Sequence, residues 1–201
     1  VGMLAYYTKR ITNERLIGFA CTNSPAAVAP WGGKEKVFGT NPFSLGFPIN
    51  EGKAIVLDMA TSALAGFKIL VMKLQGKKLP EGVALDKKGR VTNDPGEALK
   101  GVLLPFGKYK GYGLSLTVEI LSSALVGGPI SKEVIPHAST QGGFLVAAVD
   151  PSVFQAYEEY KANMKKIVNA VSSCATMEGV EKIFLPGQIE EETFEERKKQ
   201  G

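Results

Sequence analysis

The run Leu103-Leu104-Pro105-Phe106-Gly107-Lys108-Tyr109-Lys110-Gly111-Tyr112-Gly113 sets glycines and lysines immediately before a long apolar pattern. Residues of these types at a helix start can hold an anion. Backbone N–H groups without intrahelical partners and the positive end of the helix dipole attract phosphate, glycine allows close backbone approach, and a lysine adds a point charge. Lys110 is the leading phosphate candidate. From this segment alone, a helix that simply follows a flexible loop, with Lys108 and Lys110 in solvent, fits equally well.

Two further segments carry polar residues where strands and loops end. In Gly39-Thr40-Asn41-Pro42 the proline restricts Asn41, whose side chain is suited either to a ligand or to closing a local turn. Asp58-Met59-Ala60-Thr61 stands where a strand gives way to a helix, a usual place for ligand contacts in α/β sheets. Thr61 or Ser62 is expected to cap that helix. The single histidine, His137, has no carboxylate or nucleophile near it in sequence, so a general-base role is disfavoured.

These residues must be positioned by an alternation of short strands and helices. Leu4, Tyr7 and Ile11 recur at helical spacing and predict an amphipathic helix over residues 3–14. A buried strand over 16–21 leads into the turn Thr22-Asn23-Ser24-Pro25, and residues 25–43 form a long ordered loop of the kind that usually has a function. Strands over 44–48 and 54–58 flank the turn Asn50-Glu51-Gly52, and a helix runs from Thr61 or Ser62 to Leu74. The turn-rich stretch 76–96 reads as a cover with a short hairpin rather than as core. The helix over 110–125 reads as buried on several sides, the central helix of the domain.

Next come a strand over 142–149, Asp150-Pro151, and a lysine-rich surface helix over 152–174 that starts at the proline. A short strand over 183–185 and a charged terminal helix close the chain. Strand pairs without crossover helices imply a mixed sheet, and no G-x-G-x-x-G lies between a strand and a helix, so a Rossmann domain is disfavoured.

The 24 basic and 20 acidic residues, net +4, are scattered rather than striped, which argues against nucleic acid. No apolar run reaches the roughly 18 residues needed to cross a bilayer. Cys21 and Cys174 give neither a zinc spacing nor a disulfide framework, so no metal site is expected and a reducing, cytoplasmic setting is. Val1-Gly2-Met3 reads as a processed or truncated start.

Taken in order, Thr22-Asn23-Ser24-Pro25, Gly32-Gly33, Gly39-Thr40-Asn41-Pro42, Leu57-Asp58-Met59-Ala60-Thr61-Ser62, Leu104-Pro105-Phe106-Gly107 and Lys110-Gly111-Tyr112-Gly113 resemble the malate/L-lactate dehydrogenase family. That family also holds ureidoglycolate and sulfolactate dehydrogenases and diketogulonate reductase. The resemblance covers nearly the whole chain. It implies an α/β fold with a mixed-sheet, non-Rossmann dinucleotide-binding domain and a helical C-terminal segment. Residues 1–150 would be the NAD(P)-binding domain from its first helix, and 151–201 helices and a short strand packed on it, with an upstream helical domain absent.

The resemblance also implies NAD or NADP as cofactor, a small 2-hydroxyacid such as malate or lactate as substrate, and a homodimer. By position, Ser24 and Asn41 would contact substrate or cofactor. Asp58, Met59, Ala60 and Lys110 would contact the dinucleotide, with Pro105, Gly107 and Gly187 as weaker candidates. The family's proton-transfer histidine would precede Val1, so no catalytic residue is assigned within the chain, which is expected to be inactive alone. A truncated, non-catalytic relative keeping the fold, cofactor pocket or dimer surface is the alternative. Two departures stand out. Phe67, expected to pack against the sheet, replaces a usual glycine, and Gly142-Gly143 stands where Gly-His is common.

Overall fold

The first helix, α1 (Ala5–Asn13), buries Leu4, Ala5, Thr8 and Thr12, one stripe at helical spacing, and turns Tyr6 and Arg10 outward. Threonines and glycines on the buried side let helix and sheet approach closely. A four-stranded sheet has the order β3-β2-β1-β6, made of β1 (Ile17–Thr22), β2 (Phe43–Asn50), β3 (Lys53–Met59) and β6 (Phe144–Val149). The computed structural model describes residues 2–50, 52–135 and 142–201.

The chain divides into two compact units. Val1–Ala20, Ser44–Asp58 and Val146–Gly201 make the first, and Cys21–Phe43 with Met59–Leu145 the second. In the first unit, Thr8 Oγ1 meets Ser44 Oγ at 2.8 Å in the buried contact between α1 and β2. A Cβ on Gly46 would lie 2.8 Å from Thr12 Cγ2 and 3.1 Å from Thr8 Cβ, so this strand position has no room for a side chain. Gly46→Ala is therefore expected to lower stability by about 1–3 kcal/mol. Urea denaturation checks this, and adding Thr12→Ala should recover part of the loss; no recovery would mean the crowding lies elsewhere.

The remaining elements of the first unit are a 3-10 turn (Pro151–Val153), α5 (Tyr157–Ser172) and α6 (Gln188–Gln200). The helix expected to start at Pro151 starts instead at Tyr157. Asp150 accepts a hydrogen bond from the Ser152 N–H and closes a separate short turn first. Residues 183–185 form no strand; the tie there is a single backbone bond from Val56 N–H to Pro186 O at 3.0 Å.

In the second unit α2 (Gly66–Leu74), β4 (Ala84–Leu85), α3 (Pro95–Lys100), β5 (Val102–Leu103) and α4 (Tyr109–Glu119) surround a core of Val28, Phe38, Ile69, Leu79, Val83, Ala84, Ala98 and Leu103. The stretch 76–96 thus supplies core residues, correcting the reading of it as a cover. Its buried apolar residues, Leu79 and the short run Val83-Ala84-Leu85, stand among turn residues and show no helical or strand period. The short hairpin is present: Leu85 bridges Val91, and the Asp86 carboxylate accepts from the Lys88 and Arg90 N–H groups and from Arg90 Nε. Those bonds, chiefly from Arg90, hold the Asp86 carboxyl below its ordinary value.

Two helix expectations also change. The helix predicted from Thr61 or Ser62 begins at Gly66, its N-cap Ala65 makes no side-chain bond, and Thr61 bonds elsewhere. The α4 segment, continued by a π-helical turn over Ile120–Ala124, buries Gly111, Ser115, Val118, Glu119, Ser122 and Ser123. Its large apolar residues face outward, with Leu114 40%, Ile120 51% and Leu125 64% exposed. The reading of a helix buried on several sides is thereby corrected: the packed face is mainly the small and polar one. Among the described residues no helix is long and apolar enough to cross a membrane.

Candidate functional site

Within the second unit, backbone bonds stitch four of the polar segments side by side. Ser24 Oγ accepts from the Thr40 N–H at 3.1 Å. Thr61 donates to Thr40 O from its N–H at 2.9 Å and from its Oγ1 at 3.0 Å, and the same hydroxyl reaches Asn41 O at 3.1 Å. Phe106 N–H donates to Thr61 O at 3.1 Å and Ala63 N–H to Leu104 O at 2.8 Å, beside a bridge between Ser62 and Pro105. Residues 24, 40–41, 61–63 and 104–106 are therefore neighbours. Met59 and Ala60, half-buried, enter this ladder, and Gly107, Lys108 and Lys110 leave it, all three exposed.

The turn into α4 is tight. Gly107 has φ 53° and Lys108, the N-cap, φ 60°, both left-handed. A Cβ on Gly111 would fall on Phe106 O, so the helix's first turn folds back directly onto the chain that precedes it. Lys108 and Lys110 project from this turn, and no salt bridge found among the described residues involves either. Positive charge at the positive end of a helix is chemistry suited to a phosphate-bearing group.

Asn41 has a different place. It is fully buried with φ 36°, and its Nδ2 donates to Ser115 O at 3.1 Å and to Glu119 Oε2 at 2.7 Å. Its side chain is committed to hydrogen bonds in the interior. Ser24, Met59, Ala60, Pro105, Gly107 and Lys110 are gathered in the second unit. His137 lies outside the described residues. Cys21 is fully buried and burial pushes its thiol up to about 11, which leaves it no nucleophilic role near neutrality.

Asp58 and Gly187 belong to the first unit. Asp58 Oδ2 accepts from the Ala5 N–H at 2.7 Å, so this carboxylate caps α1, whose own N-cap residue Leu4 makes no side-chain bond. Burial raises the Asp58 carboxyl above its ordinary value against the pull of the Ala5 and Leu4 amides, and Glu190 adds to the rise. The folded chain thus holds this proton more tightly than the unfolded one. As pH falls through the window between the ordinary and the raised value, this group favours folding, and above that window its charge costs stability. Asp58→Ala is expected to cost about 1 kcal/mol through the lost cap, whereas Asp58→Asn keeps an acceptor and should be neutral or slightly stabilising at pH 7. Thermal denaturation of the pair decides; equal losses would mean the charge itself matters.

Gly187, with φ 82°, precedes α6 and sits where a Cβ would lie 2.8 Å from Val56 O. Its glycine is required by the packing of that turn on β3. Thr40 was read only as part of a motif and Thr61 only as a helix cap, while Glu119 and Ser131 were not singled out from sequence. Only Glu119 carried a signal, an acid inside an otherwise apolar helical run.

The sequence profile of malate/L-lactate dehydrogenase matches residues 1–201. The chain belongs to that family. An L-sulfolactate dehydrogenase of Methanocaldococcus jannaschii is 41% identical over 200 residues, 98% of this chain and 58% of that enzyme. The solved structure of the sulfolactate dehydrogenase from that organism superposes with a TM-score of 0.91 at 40% identity, covering 98% of this chain and 58% of that one. A malate dehydrogenase structure from Entamoeba histolytica gives TM-score 0.91 at 29% identity over 99% of this chain and 60% of that one. A (2R)-3-sulfolactate dehydrogenase (NADP(+)) of Chromohalobacter salexigens is 36% identical over 158 residues, 76% of this chain and 47% of that enzyme.

The chain spans less than two thirds of the length of these relatives. As a member of the malate/L-lactate dehydrogenase family it has that family's α/β, non-Rossmann fold. Both departures from the family pattern have structural consequences. Phe67 is 75% exposed on the first turn of α2 and does not pack on the sheet. At Gly143 a Cβ would fall on Ser122 O and lie 2.9 Å from Val126 Cγ2, so the backbone there leaves no room for a side chain.

Proposed function

We propose that this chain forms the cofactor-holding part of an oxidoreductase that moves hydride between NAD or NADP and a small 2-oxo or 2-hydroxy carboxylate such as malate or lactate. The observation that carries the reading is the α4 start: two exposed lysines without ionic partners among the described residues, beside left-handed Gly107 and a Gly111 with no room for a Cβ. These residues fit a phosphate-bearing group, because they put two positive charges at the positive end of a helix dipole. Lys110 and Lys108 hold the phosphates. Gly107 and buried Pro105 shape the turn beneath them, and Met59 and Ala60 line the neighbouring strand end. Ser24 offers its hydroxyl to substrate or cofactor. When bound, the nicotinamide supplies the hydride donor or acceptor.

The substrate class is supported by the relatives, which are malate and sulfolactate dehydrogenases. A second copy of the chain as partner is supported by the outward leucines and isoleucine of α4 and its π turn, an apolar face of the kind that interfaces cover.

Fluorescence titration of the folded chain with NADH and NADPH tests the reading. Saturable binding of either is expected, with the tighter one naming the preference. Binding of neither by a chain with a native circular dichroism spectrum would favour a relative that kept the fold without the cofactor.

A further inference from the structure

Below the ladder of the second unit lies a buried polar cluster that the cofactor contacts do not use. Glu119, the last residue of α4, is 7% exposed. Its Oε1 accepts from the Ser131 N–H at 2.5 Å, and its Oε2 accepts from Ser131 Oγ at 2.6 Å and from Asn41 Nδ2 at 2.7 Å. Ser131 is itself fully buried, with Oγ 3.4 Å from Asn41 Oδ1. One carboxylate thus takes donors from two loops that are 90 residues apart in sequence.

An apolar side chain would fill this space and stabilise at least as well as a buried acid, which has to recover its lost hydration through these bonds. What only a carboxylate does here is accept a backbone N–H from one loop and a side-chain amide from the other at once. The Asn41 amide is the group that keeps its residue in the left-handed region, where a side chain other than glycine is strained. From Asn41 the bonds run onward: Asn41 O and Thr40 O receive the Thr61 hydroxyl, and Thr40 N–H meets Ser24 Oγ. In the other direction α4 runs as a rigid rod of roughly 13 Å from Glu119 to Lys110. Immediately after Glu119 the helix widens into its π turn, with Leu125 N–H bonded to Ile120 O, a local strain that often marks functional sites.

We propose that Glu119 is a positioning residue. Through Asn41 it sets the separation between the Ser24–Thr40 loop and the Lys110 end of α4, and so the span available to a dinucleotide. The inference rests on the cofactor reading above and deepens it.

The test compares Glu119→Gln with Val118→Ala, a buried neighbour on the same helix that touches none of these bonds. Both should lower the melting temperature. Only Glu119→Gln, whose amide places a donor against a donor, should weaken NADH or NADPH binding, by about tenfold or more, while Val118→Ala stays within about twofold. Amide hydrogen exchange without cofactor provides a second readout: Glu119→Gln should speed exchange at Thr40 and Thr61, and Val118→Ala should not. Should Glu119→Gln fail to fold, Ser131→Ala removes one of the three bonds and carries the same comparison, with about a threefold effect. Equal losses of affinity in the matched variants would reduce Glu119 to a fold residue and overturn the proposal. If the wild-type chain binds neither cofactor, the cofactor reading fails on its own. Selective exchange at Thr40 and Thr61 would then still support the positioning role, and unselective exchange would overturn that too.

Discussion

Lys110→Ala is expected to weaken NADH or NADPH binding by roughly 10- to 100-fold while leaving the chain as stable as before or slightly more so. The affinity loss follows from removing a charge-assisted bond to phosphate, about 1.5–3 kcal/mol. The stability change has the opposite sign because a lysine at the first turn of a helix opposes the dipole, and Lys110 is exposed with no salt bridge among those found for the described residues. A residue kept at a small cost to its own helix is explained by a ligand that needs its charge. The residual affinity gap between wild type and variant should shrink at high salt, since exposed charges are screened. Titration and thermal melts on the same preparations measure both signs. A drop in melting temperature with affinity unchanged would remove Lys110 from the site.

Gly111→Ala should be the most damaging single-methyl change in the candidate site, costing about 3 kcal/mol or more and abolishing measurable cofactor binding. The added carbon falls on Phe106 O, with Phe106 N and C both at 2.9 Å, and backbone cannot swing aside as a side-chain tip can. Moving it would displace the left-handed pair Gly107 and Lys108 that presents the lysines. Gly113→Ala, two residues along the same helix, meets nothing within 4 Å and should stabilise by about 0.5–1 kcal/mol through helix propensity alone. Urea denaturation of the pair reads out the contrast. Similar shifts for both variants would mean the turn at residues 106–111 is looser than its geometry implies.

That contrast shows where reading the sequence stops. Gly111 and Gly113 belong to one motif and look alike as letters, and only the path of the chain before α4 makes one indispensable. The elements legible from pattern were those with local causes: α1 from its apolar stripe, β2 and β3 from alternation around a turn, α6 from its charge arrangement, and the α4 start from glycine and lysine. The misread elements depend on distant partners. Thr61 looked like a cap because threonines before helices usually are, yet Thr40 and Asn41, some twenty residues away, claim its hydroxyl. The α4 leucines looked buried because apolar residues usually are. The face that packs is set instead by small residues that admit close backbone contact, and by an acid that needs buried donors.

By itself the sequence determined the class of fold, the order of most elements and the set of polar segments that carry the family resemblance, because propensity, periodicity and turn chemistry act over a few residues. Tertiary structure alone decided which of those segments meet. It assigned Asp58 to the N-terminus of α1, committed Asn41 to Glu119 and Ser131, and left Lys108 and Lys110 exposed without salt bridges among those found for the described residues. Hydrogen-bond partners separated by 53 to 90 residues leave no local trace, since each is chosen by where the packed backbone brings a donor within reach of an acceptor.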